Sequence, residues 1–395
     1  MMTDEPIRIL APRQAIPTIK RELSRRNFLA FSAAAASVAT LAACTPGGGA
    51  QPGAGLVASG GPLEANLNIY SWGDYDDPGV VESFTDTLGP KVTFGSYGSN
   101  EEMISKLIAA KGTSGYDIVV PTGVFVPQLA KNGLVVELNH DLLPNLKYMD
   151  PAFLKQEWDP ENKYSVCKAW GTTGFVYDKN IITRDLTTWN DFLDAAQNEA
   201  SGKTSVLDDP AELTGMYFWA NGIDWNTTKK EDLDAAEDYL VNTLSPHIAA
   251  FDSYPGGTAI PEGTQVLMQV WNGDARLGIM NGGEPDRWAW RLGAPATELW
   301  MDNWSIAMGA KNPEAAHAFI NYTMVPETQL VQLDYIGYHT GAAGIEKAAE
   351  AEGLEMLDMV FFTPDQLATM KNGELNENQD RVVEIWNKMK AAAGA

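Results

Sequence analysis

The amino-acid sequence predicts a two-lobed α/β protein in which each lobe is a mainly parallel sheet flanked by helices. Strand-like and helix-like patterns alternate along the chain, which is typical of repeated βα units. About 330 residues follow an N-terminal leader and a glycine-rich stretch that ends at residue 62, and that length is more than one hydrophobic core usually accommodates. The chain has no recognisable metal or nucleotide motif. Because ligands of such folds bind at the carboxyl ends of strands, we expect a ligand cleft between the lobes.

Residues 1–43 are predicted to be an export signal. Arg25-Arg26-Asn27-Phe28-Leu29 is a twin-arginine motif, and the apolar run that follows it is too short to span a bilayer. The run ends in Leu41-Ala42-Ala43-Cys44, which resembles a bacterial lipobox and implies cleavage before Cys44 and acylation of its sulfur. An ordinary secretory signal with an accidental cysteine is the alternative. The lipobox predicts an extracytoplasmic protein that is anchored to the membrane by lipid.

Residues 44–62 are rich in glycine, alanine and proline, so we expect a flexible tether before a folded part that begins near Leu63. The chain has a formal net charge of −24, and loss of the basic leader would make it more negative. Such a charge argues against binding to nucleic acid or to anionic lipid surfaces. The second cysteine, Cys167, has no disulfide partner if Cys44 is acylated, and we expect it to be a packed small residue.

The folded part begins with the pattern of a βα repeat. Ser99-Asn-Glu-Glu102 has the form of a capping box and is followed by apolar residues at helical spacing. Strands are predicted over 67–70, 92–94 and 116–120. Helices are predicted over 80–88, from Ser99, and up to a stop at Gly133.

A second series of elements is predicted to begin near Gly174. Strands are predicted over 174–177, 204–207, 266–270 and 303–308. Helices are predicted over 231–244, from Asn312-Pro313, from Thr363-Pro364, and over 381–393. We assign residues 63–174 and 303–346 to lobe 1, and residues 175–302 and 347–395 to lobe 2.

Acidic residues stand beside tryptophan at three places, in Trp72-Gly-Asp-Tyr75, Trp271-Asn-Gly-Asp274 and Trp300-Met-Asp302. A carboxylate binds an ammonium group, while an indole face contacts methylenes and attracts positive charge. One such pair would carry little weight, because tryptophan is often buried and aspartate is usually at the surface. Three pairs in one acidic, exported chain predict a site for a small organic cation.

Asp209 and Glu212 are further candidates for the same site, since both can point into a cleft and share one ammonium group. Asp208-Asp209-Pro210 also has the form of a helix start, so that one of the two aspartates is predicted to be a cap. A glycosidase pair is disfavoured because carboxyls three residues apart on one helical turn cannot flank a scissile bond.

Signals of catalysis are weak throughout the chain. The four histidines, at positions 140, 247, 317 and 339, have no metal-ligand spacing and no nucleophile motif beside them. The chain contains no glycine-rich phosphate loop and no Gly-x-Ser-x-Gly motif. We therefore predict no catalytic residue, no metal and no cofactor, with a secreted hydrolase as a minor alternative.

Taken in order, these segments resemble the spermidine/putrescine-binding proteins of bacterial ABC importers from about Leu67 to Asn376. The matching stretches are Leu67-Asn-Ile-Tyr-Ser-Trp-Gly-Asp-Tyr75, Ser99-Asn-Glu-Glu102, Gly115-Tyr-Asp-Ile-Val-Val-Pro121, Trp170-Gly-Thr-Thr-Gly174, Leu207-Asp-Asp-Pro-Ala-Glu212, Val270-Trp-Asn-Gly-Asp274, Leu299-Trp-Met-Asp302, Ala310-Lys-Asn-Pro-Glu-Ala-Ala316 and Gly337-Tyr338. The resemblance implies a type II periplasmic-binding-protein fold with the ligand between the lobes. It also implies capture of a polyamine of the putrescine or spermidine class.

The resemblance implies ligand contacts for eleven residues. The aromatic contacts are Trp72, Tyr75, Trp271, Trp300 and Tyr338, and the acidic contacts are Asp209, Glu212, Asp274 and Asp302. Thr122 would lie near one amine, and Asn376 would reach a terminal amine. The chain departs from the family pattern at Val124, Cys167, His339 and Gly341, which leaves the preferred ligand length open.

The resemblance implies two partners, a polyamine ligand and an ABC permease in the cytoplasmic membrane, for a monomer held to the membrane at Cys44. From the residues alone, a sugar-binding lipoprotein of the same architecture remains open, because sugars also stack on tryptophan. Such a receptor would tolerate replacement of the cleft acids by amides.

Overall fold

Strands and helices alternate through residues 57–394, the part of the chain that this computed structural model describes. The strands in this range are β1 (Asn66–Trp72), β2 (Lys91–Tyr97), β3 (Ile118–Val119), β4 (Val135–Val136), β5 (Val166–Asp178), β6 (Thr204–Val206), β7 (Ile248–Phe251), β8 (Leu267–Trp271), β9 (Trp288–Leu292), β10 (Thr297–Ala307) and β11 (Met370–Lys371). The twin-arginine motif, the lipobox and Cys44 lie outside the described residues.

Helices flank these strands on both faces. They are α1 (Pro78–Leu88), α2 (Asn100–Ala110), α3 (Val126–Lys131), α4 (Trp189–Gln197), α5 (Pro210–Ala220), α6 (Lys230–Asp238), α7 (Ala259–Glu262), α8 (Asn272–Asn281), α9 (Pro313–Thr323), α10 (Pro326–Ile336), α11 (Ile345–Glu352), α12 (Pro364–Leu367) and α13 (Gln379–Ala393). The segment Tyr239–Leu244 continues α6 as a π-helix. Within the described range, no helix has the combination of length and apolar character that crossing a membrane requires.

The two long strands β5 and β10 join two halves of one sheet. The strand order is β2-β1-β3-β10-β5-β8-β6-β7, with β4 and β11 on β10 and β9 on β5. Pairing is parallel around β1 and around β6, toward the two edges. It is antiparallel between β5 and β10 and from these strands to β3, β8 and β9. Each lobe therefore keeps a parallel outer part, while the strands shared by the lobes run antiparallel.

Each half of the sheet has its own buried cluster. In the first half, Phe84, Trp304 and Phe319 pack together, and Cys167 is buried in the same cluster. In the second half, Phe175 and Trp189 lie at the centre, with ring centroids 5.7 Å apart. Burial of these aromatic side chains is a large source of stability, because each removes an extensive apolar surface from water.

Two strands begin well before their predicted starts. Strand β5 begins at Val166 and not near Gly174, and all of its thirteen residues are buried, so it lacks the alternation that marks a half-exposed strand. Strand β10 begins at Thr297, six residues before the predicted start. At the start of α2, Ser99 accepts the Glu102 N–H, but the Glu102 carboxylate accepts the Gly98 N–H and does not close a capping box.

Contacts to the folded part begin before Leu63. The Glu314 carboxylate, in the first turn of α9, accepts the backbone N–H groups of Ser59, Gly60 and Gly61 at 2.6, 3.2 and 3.0 Å. A carboxylate accepts such bonds strongly because it is charged. The last residues of the predicted tether are therefore bound to the surface of the first half.

Candidate functional site

A cavity of about 170 Å³ lies where the two halves of the sheet meet. Ten of the eleven predicted residues line it, namely Trp72, Tyr75, Thr122, Asp209, Glu212, Trp271, Trp300, Asp302, Tyr338 and Asn376. Asp274 is not part of the lining. Of the described residues, those that line the cavity include no lysine, arginine or histidine. The cavity is therefore acidic and aromatic.

Strand β10 provides the floor of the cavity. Glu298, Trp300 and Asp302 alternate along it and thus share one face of the sheet. The pairing with β5 shifts register between Asp302 and Asn303, opposite Lys168. A bulge of this kind changes the direction of the side chains next to it, and bulges are common beside binding sites.

Asp302 is a buried carboxylate with donors already in place. Thr122 Oγ1 donates to Asp302 Oδ1 at 2.8 Å, and Asn100 Nδ2 donates to Thr122 Oγ1 at 3.0 Å. Burial raises the pKa of Asp302 to about 6, and the hydroxyls of Thr122 and Tyr75 and the charge of Lys168 oppose that rise. The carboxylate can therefore be ionised at neutral pH despite its burial.

Lys168 is behind this carboxylate and outside the cavity lining. Its buried ammonium group donates to Tyr75 O at 2.7 Å and to Asp76 Oδ1 at 2.8 Å. It also lies over the rings of Tyr75 and Trp304, at 4.3 and 4.5 Å from their centroids. Its hydrogen bonds are thus made to Asp76 and the backbone, which leaves Asp302 open to a ligand.

Helix α5 brings two acids to the opposite end of the cavity. Asp209 is its N-cap: Oδ1 accepts the N–H groups of Ala211 and Glu212 at 2.8 and 3.0 Å. Burial, and then the charge of Glu212, raise the pKa of Asp209 to about 7. The neighbouring Asp208 instead pairs with Lys390 at 2.7 Å, outside the cavity. The cap predicted for one of the two aspartates is therefore Asp209, which also lines the cavity.

Glu212 is almost completely buried, with 1% of its surface exposed. Its Oε1 accepts Trp271 Nε1–H at 2.8 Å and the Thr173 hydroxyl, whereas its Oε2 has no hydroxyl, amide or indole donor within residues 57–394. The carboxyl of Glu298 lines the same cavity and lies beside that of Glu212. Burial and the charge of Glu212 raise the pKa of Glu298 well above its usual range.

Aromatic rings form the wall between the two acidic ends. Trp300 and Tyr338 pack edge to face at 4.9 Å, and Tyr338 and Tyr75 do so at 6.3 Å. Glycine permits this packing, because a Cβ at Gly171 would lie 2.5 Å from Trp300 Cζ2 and one at Gly273 would lie 2.5 Å from Tyr338 Cε1.

Asp274 and Asn376 hold the loops around the cavity. Asp274 Oδ2 accepts the Gly256 N–H at 2.7 Å, and burial raises the pKa of Asp274 to about 7. This contact fixes the turn that carries Tyr254, a lining residue. Asn376 lines the cavity, but its side chain donates to Asn226 O at 3.0 Å and accepts the Asn378 N–H at 2.9 Å.

Several lining residues were not predicted from the sequence. They include Asn100, Glu101, Phe125, Trp225, Tyr254, Glu298, Glu374 and Gln379. Glu298 could have been found from its alternation with Trp300 and Asp302. Trp225, Tyr254 and Glu374 come from loops without a periodic pattern, whereas Asn100, Glu101 and Gln379 lie in the first turns of α2 and α13. At the mouth, Gln379 Nε2 of α13 donates to Glu101 Oε1 of α2 at 3.5 Å. Among the described residues, no group of three or more His, Cys, Asp or Glu side chains is arranged to hold a metal ion.

The geometry suits a molecule with positive charges at separated positions. Carboxylates accept ammonium groups at each end, and the aromatic wall contacts an apolar linker and attracts charge by its ring faces. A neutral ligand would leave several buried carboxyls without a counter-charge, which costs free energy.

Comparisons with known proteins agree with this geometry. Residues 79–357 match the family model described as bacterial extracellular solute-binding protein. The chain is 32% identical to the spermidine/putrescine-binding periplasmic protein of Escherichia coli, over 85% of this chain and 93% of the relative. It is 30% identical to the spermidine/putrescine-binding periplasmic protein 1 of Haemophilus influenzae, over 83% and 88% of the two chains.

Solved structures show the same architecture. The spermidine/putrescine ABC transporter substrate-binding protein of Streptococcus pneumoniae superposes with a TM-score of 0.69 at 25% identity, covering 84% of this chain and 100% of the other. A lipoprotein of Treponema pallidum superposes with a TM-score of 0.71 at 23% identity, over 82% of this chain and 99% of the other, which supports the fold alone. The expected type II periplasmic-binding-protein fold is thereby confirmed.

Proposed function

The chain belongs to the bacterial extracellular solute-binding protein family, and we propose that it captures a polyamine of the putrescine or spermidine class for an ABC importer. The observation that carries this proposal is that buried carboxyls from β10 and α5 line one aromatic cavity whose described lining residues include no basic side chain. Ammonium groups joined by methylenes match that pattern in charge and in apolar surface. The relatives named for spermidine and putrescine support the same ligand class.

Asp302 binds one ammonium group in this proposal, and Asp209 with Glu212 binds another. Trp271 and Trp300 contact the methylene chain, together with the tyrosines and with Trp72 near the mouth. Thr122 orients Asp302 by its hydrogen bond. The resemblance implies amine contacts for Asp274 and Asn376, and the bonds of their side chains to neighbouring backbone support an additional role in holding the loops.

The magnitudes suit tight capture without chemistry. A hydrogen bond between charged groups contributes roughly 1.5–3 kcal/mol, and a cation–aromatic contact adds about 0.5–2 kcal/mol once water is excluded. Three or four such contacts, less the cost of ordering ligand and lobes, correspond to micromolar or tighter binding. A monocation would leave carboxyls at one end without a counter-charge, so we expect it to bind more weakly than a diamine.

Calorimetric titration of the lipid-free protein tests this function. We expect saturable binding of putrescine or spermidine, weaker binding of a monoamine such as butylamine, and no heat from neutral sugars. Butylamine keeps the methylene chain and removes one charge, so it separates charge recognition from apolar contact. Saturable binding of a sugar, with no response to any polyamine, would replace this proposal with the sugar-binding alternative.

The export and anchoring of the receptor follow from the leader. We propose that the twin-arginine signal directs the chain across the cytoplasmic membrane and that Cys44 is acylated there. The anchored receptor is a monomer in this proposal, and it delivers its ligand to a permease in the same membrane. The variant Cys44→Ser should appear in the soluble extracytoplasmic fraction, whereas Cys167→Ser should stay with the membrane. Membrane retention of Cys44→Ser would contradict a lipid anchor at that residue.

A further inference from the structure

Glu212 and Glu298 bring two carboxyl groups into contact inside the cavity. Two carboxylates only accept hydrogen bonds, so a hydrogen bond between carboxyls requires a proton on one of them. Glu212 Oε1 already accepts two donors, while Oε2 is buried without a hydroxyl, amide or indole donor. Among the described residues, no other donor reaches Glu212 Oε2, so a proton shared with Glu298 would satisfy this oxygen.

The surroundings of the pair favour retention of that proton. The ionisable groups that face Glu298 are Glu212 and Asp209 on α5 and Asp302 on the same strand, and all of them are acids. Donors to Glu212 come from Thr173 of β5 and Trp271 at the end of β8, and both are neutral. Among the described residues, no lysine or arginine contacts either carboxyl.

We propose that Glu298 is a third carboxyl of the amine site formed by Asp209 and Glu212, and that the Glu212–Glu298 pair holds one proton, which it releases when an ammonium group enters. This inference rests on the proposed function and adds Glu298 to the eleven residues for which the family resemblance implies ligand contacts. In the exchange, the carboxyl O–H bond breaks, the proton passes to the buffer, and the ammonium donates N–H bonds to both carboxylates. The pair changes from one negative charge to two, and the incoming cation adds one positive charge, so charge and atoms balance.

The exchange makes ligand affinity depend on pH in a defined direction. A site that must lose one proton to bind a cation gains tenfold in affinity for each unit of pH, as long as the proton is held in the empty state. Burial and the charge of Glu212 raise the pKa of Glu298 well above its usual range, which favours retention of a proton by the pair when the site is empty. We therefore expect the pair to release its proton even in mildly alkaline solution.

Proton release is measured by calorimetry with putrescine at pH 8 in two buffers of different ionisation enthalpy, such as phosphate and Tris. At this pH, Asp209 and Asp274, with pKa values of about 7, and Asp302, with a pKa of about 6, are largely ionised and contribute little. We expect the wild type to release close to one proton per putrescine. The variant Glu298→Gln should release less than half as many, because an amide cannot share the proton.

Glu101→Gln is the matched control, since it removes a carboxyl at the mouth of the same cavity that does not touch Glu212. It should release as many protons as the wild type, whatever its affinity. Putrescine binding to the wild type without proton release would overturn the inference and leave the proposed function intact. Equal release by Glu298→Gln would also overturn it. The wild-type measurement decides the matter even if Glu298→Gln does not fold.

Discussion

At the scale of single residues, Asp302 is a charged group whose position is set by its neighbours in the fold. Its carboxylate is fixed by Thr122, which is itself fixed by Asn100 of α2. The register shift beside Asp302 sets the direction of its side chain. These contacts prepare the oxygen atoms before the ligand arrives, so little ordering cost remains for binding.

The substitution Asp302→Asn should weaken putrescine or spermidine binding at least tenfold and leave the melting temperature almost unchanged. The amide keeps the shape and can still accept the Thr122 hydrogen bond, but it removes the charge that attracts an ammonium group. Asp286→Asn is the matched control because Asp286 is exposed and lies outside the cavity. Calorimetry showing the same affinity for both variants would exclude Asp302 from the binding site.

Lys168 gives a second prediction at the residue scale. Its side chain and that of Asp76 are each 3% exposed and form an ion pair at 2.8 Å. Lys168→Met should cost about 3–5 kcal/mol of unfolding free energy, because it leaves a buried carboxylate without its partner. The double variant Lys168→Met with Asp76→Leu should recover much of this loss in urea denaturation. A single variant as stable as the wild type would show that this pair does not stabilise the fold.

At the scale of elements, the start of α5 combines a structural and a binding role in Asp209. Asn caps helices about as well as Asp, whereas Ala loses the cap at a cost of about 0.5–2 kcal/mol. Asp209→Asn should therefore keep the stability of the protein and weaken polyamine binding, while Asp209→Ala should reduce both. Urea denaturation and calorimetry on the two variants separate the roles. Unchanged binding by Asp209→Asn would restrict this residue to capping.

The elements that the sequence predicted well are those with a clear local signal. Proline starts α1, α5 and α9, and a strand at 67–70 shows the expected apolar pattern. Strands β5 and β10 were predicted too short, because their extent depends on the contacts that each strand makes with both halves of the sheet. Propensity and alternation contain no information on such long-range pairing.

The site was predictable to the extent that its residues lie in short motifs. All three tryptophans of the acid–tryptophan motifs line the cavity, but of the three acids only Asp302 does so. The Asp209–Glu212 pair also lines it. Glu298 carried a usable signal in its two-residue spacing from Trp300. Tyr254 and Trp225 reach the cavity from loops, whose paths depend on tertiary contacts such as the bond from Gly256 N–H to Asp274.

At the scale of the whole molecule, the cavity exists because β5 and β10 hold the two halves of the sheet side by side. Asp302 and Thr122 meet at the border of the first half, while α5 brings Asp209 and Glu212 from the second. A cation that bridges the two ends would draw the halves together, since each end alone carries unpaired negative charge. Ligand binding and the arrangement of the lobes are therefore coupled through electrostatics.

The raised pKa values of the cavity acids predict that the stabilisation of the protein by putrescine grows with pH. Burial holds the pKa of Asp209 at about 7 and that of Asp302 at about 6, so at pH 5.5 a ligand must first displace protons that are largely gone at pH 7.5. Each tenfold gain in affinity at saturating ligand adds about 1.4 kcal/mol of stability, or roughly 2–4 °C in melting temperature. The putrescine-induced rise in melting temperature should thus be several degrees larger at pH 7.5 than at pH 5.5.

Melting curves with and without putrescine at each pH isolate this effect from other titrations. In the ligand-free protein these acids make the stability fall as pH rises, opposite to the ligand-induced shift. A carboxyl whose pKa is raised by folding favours the folded state at low pH and loses that contribution as pH rises toward 7. His339, whose pKa burial lowers to about 4, disfavours folding in acid and lies outside the cavity lining, so its contribution cancels in the difference. Asp302→Asn should show a smaller pH dependence of the ligand-induced shift. A shift that is constant or that shrinks from pH 5.5 to pH 7.5 would mean that ionised cavity acids do not drive polyamine binding.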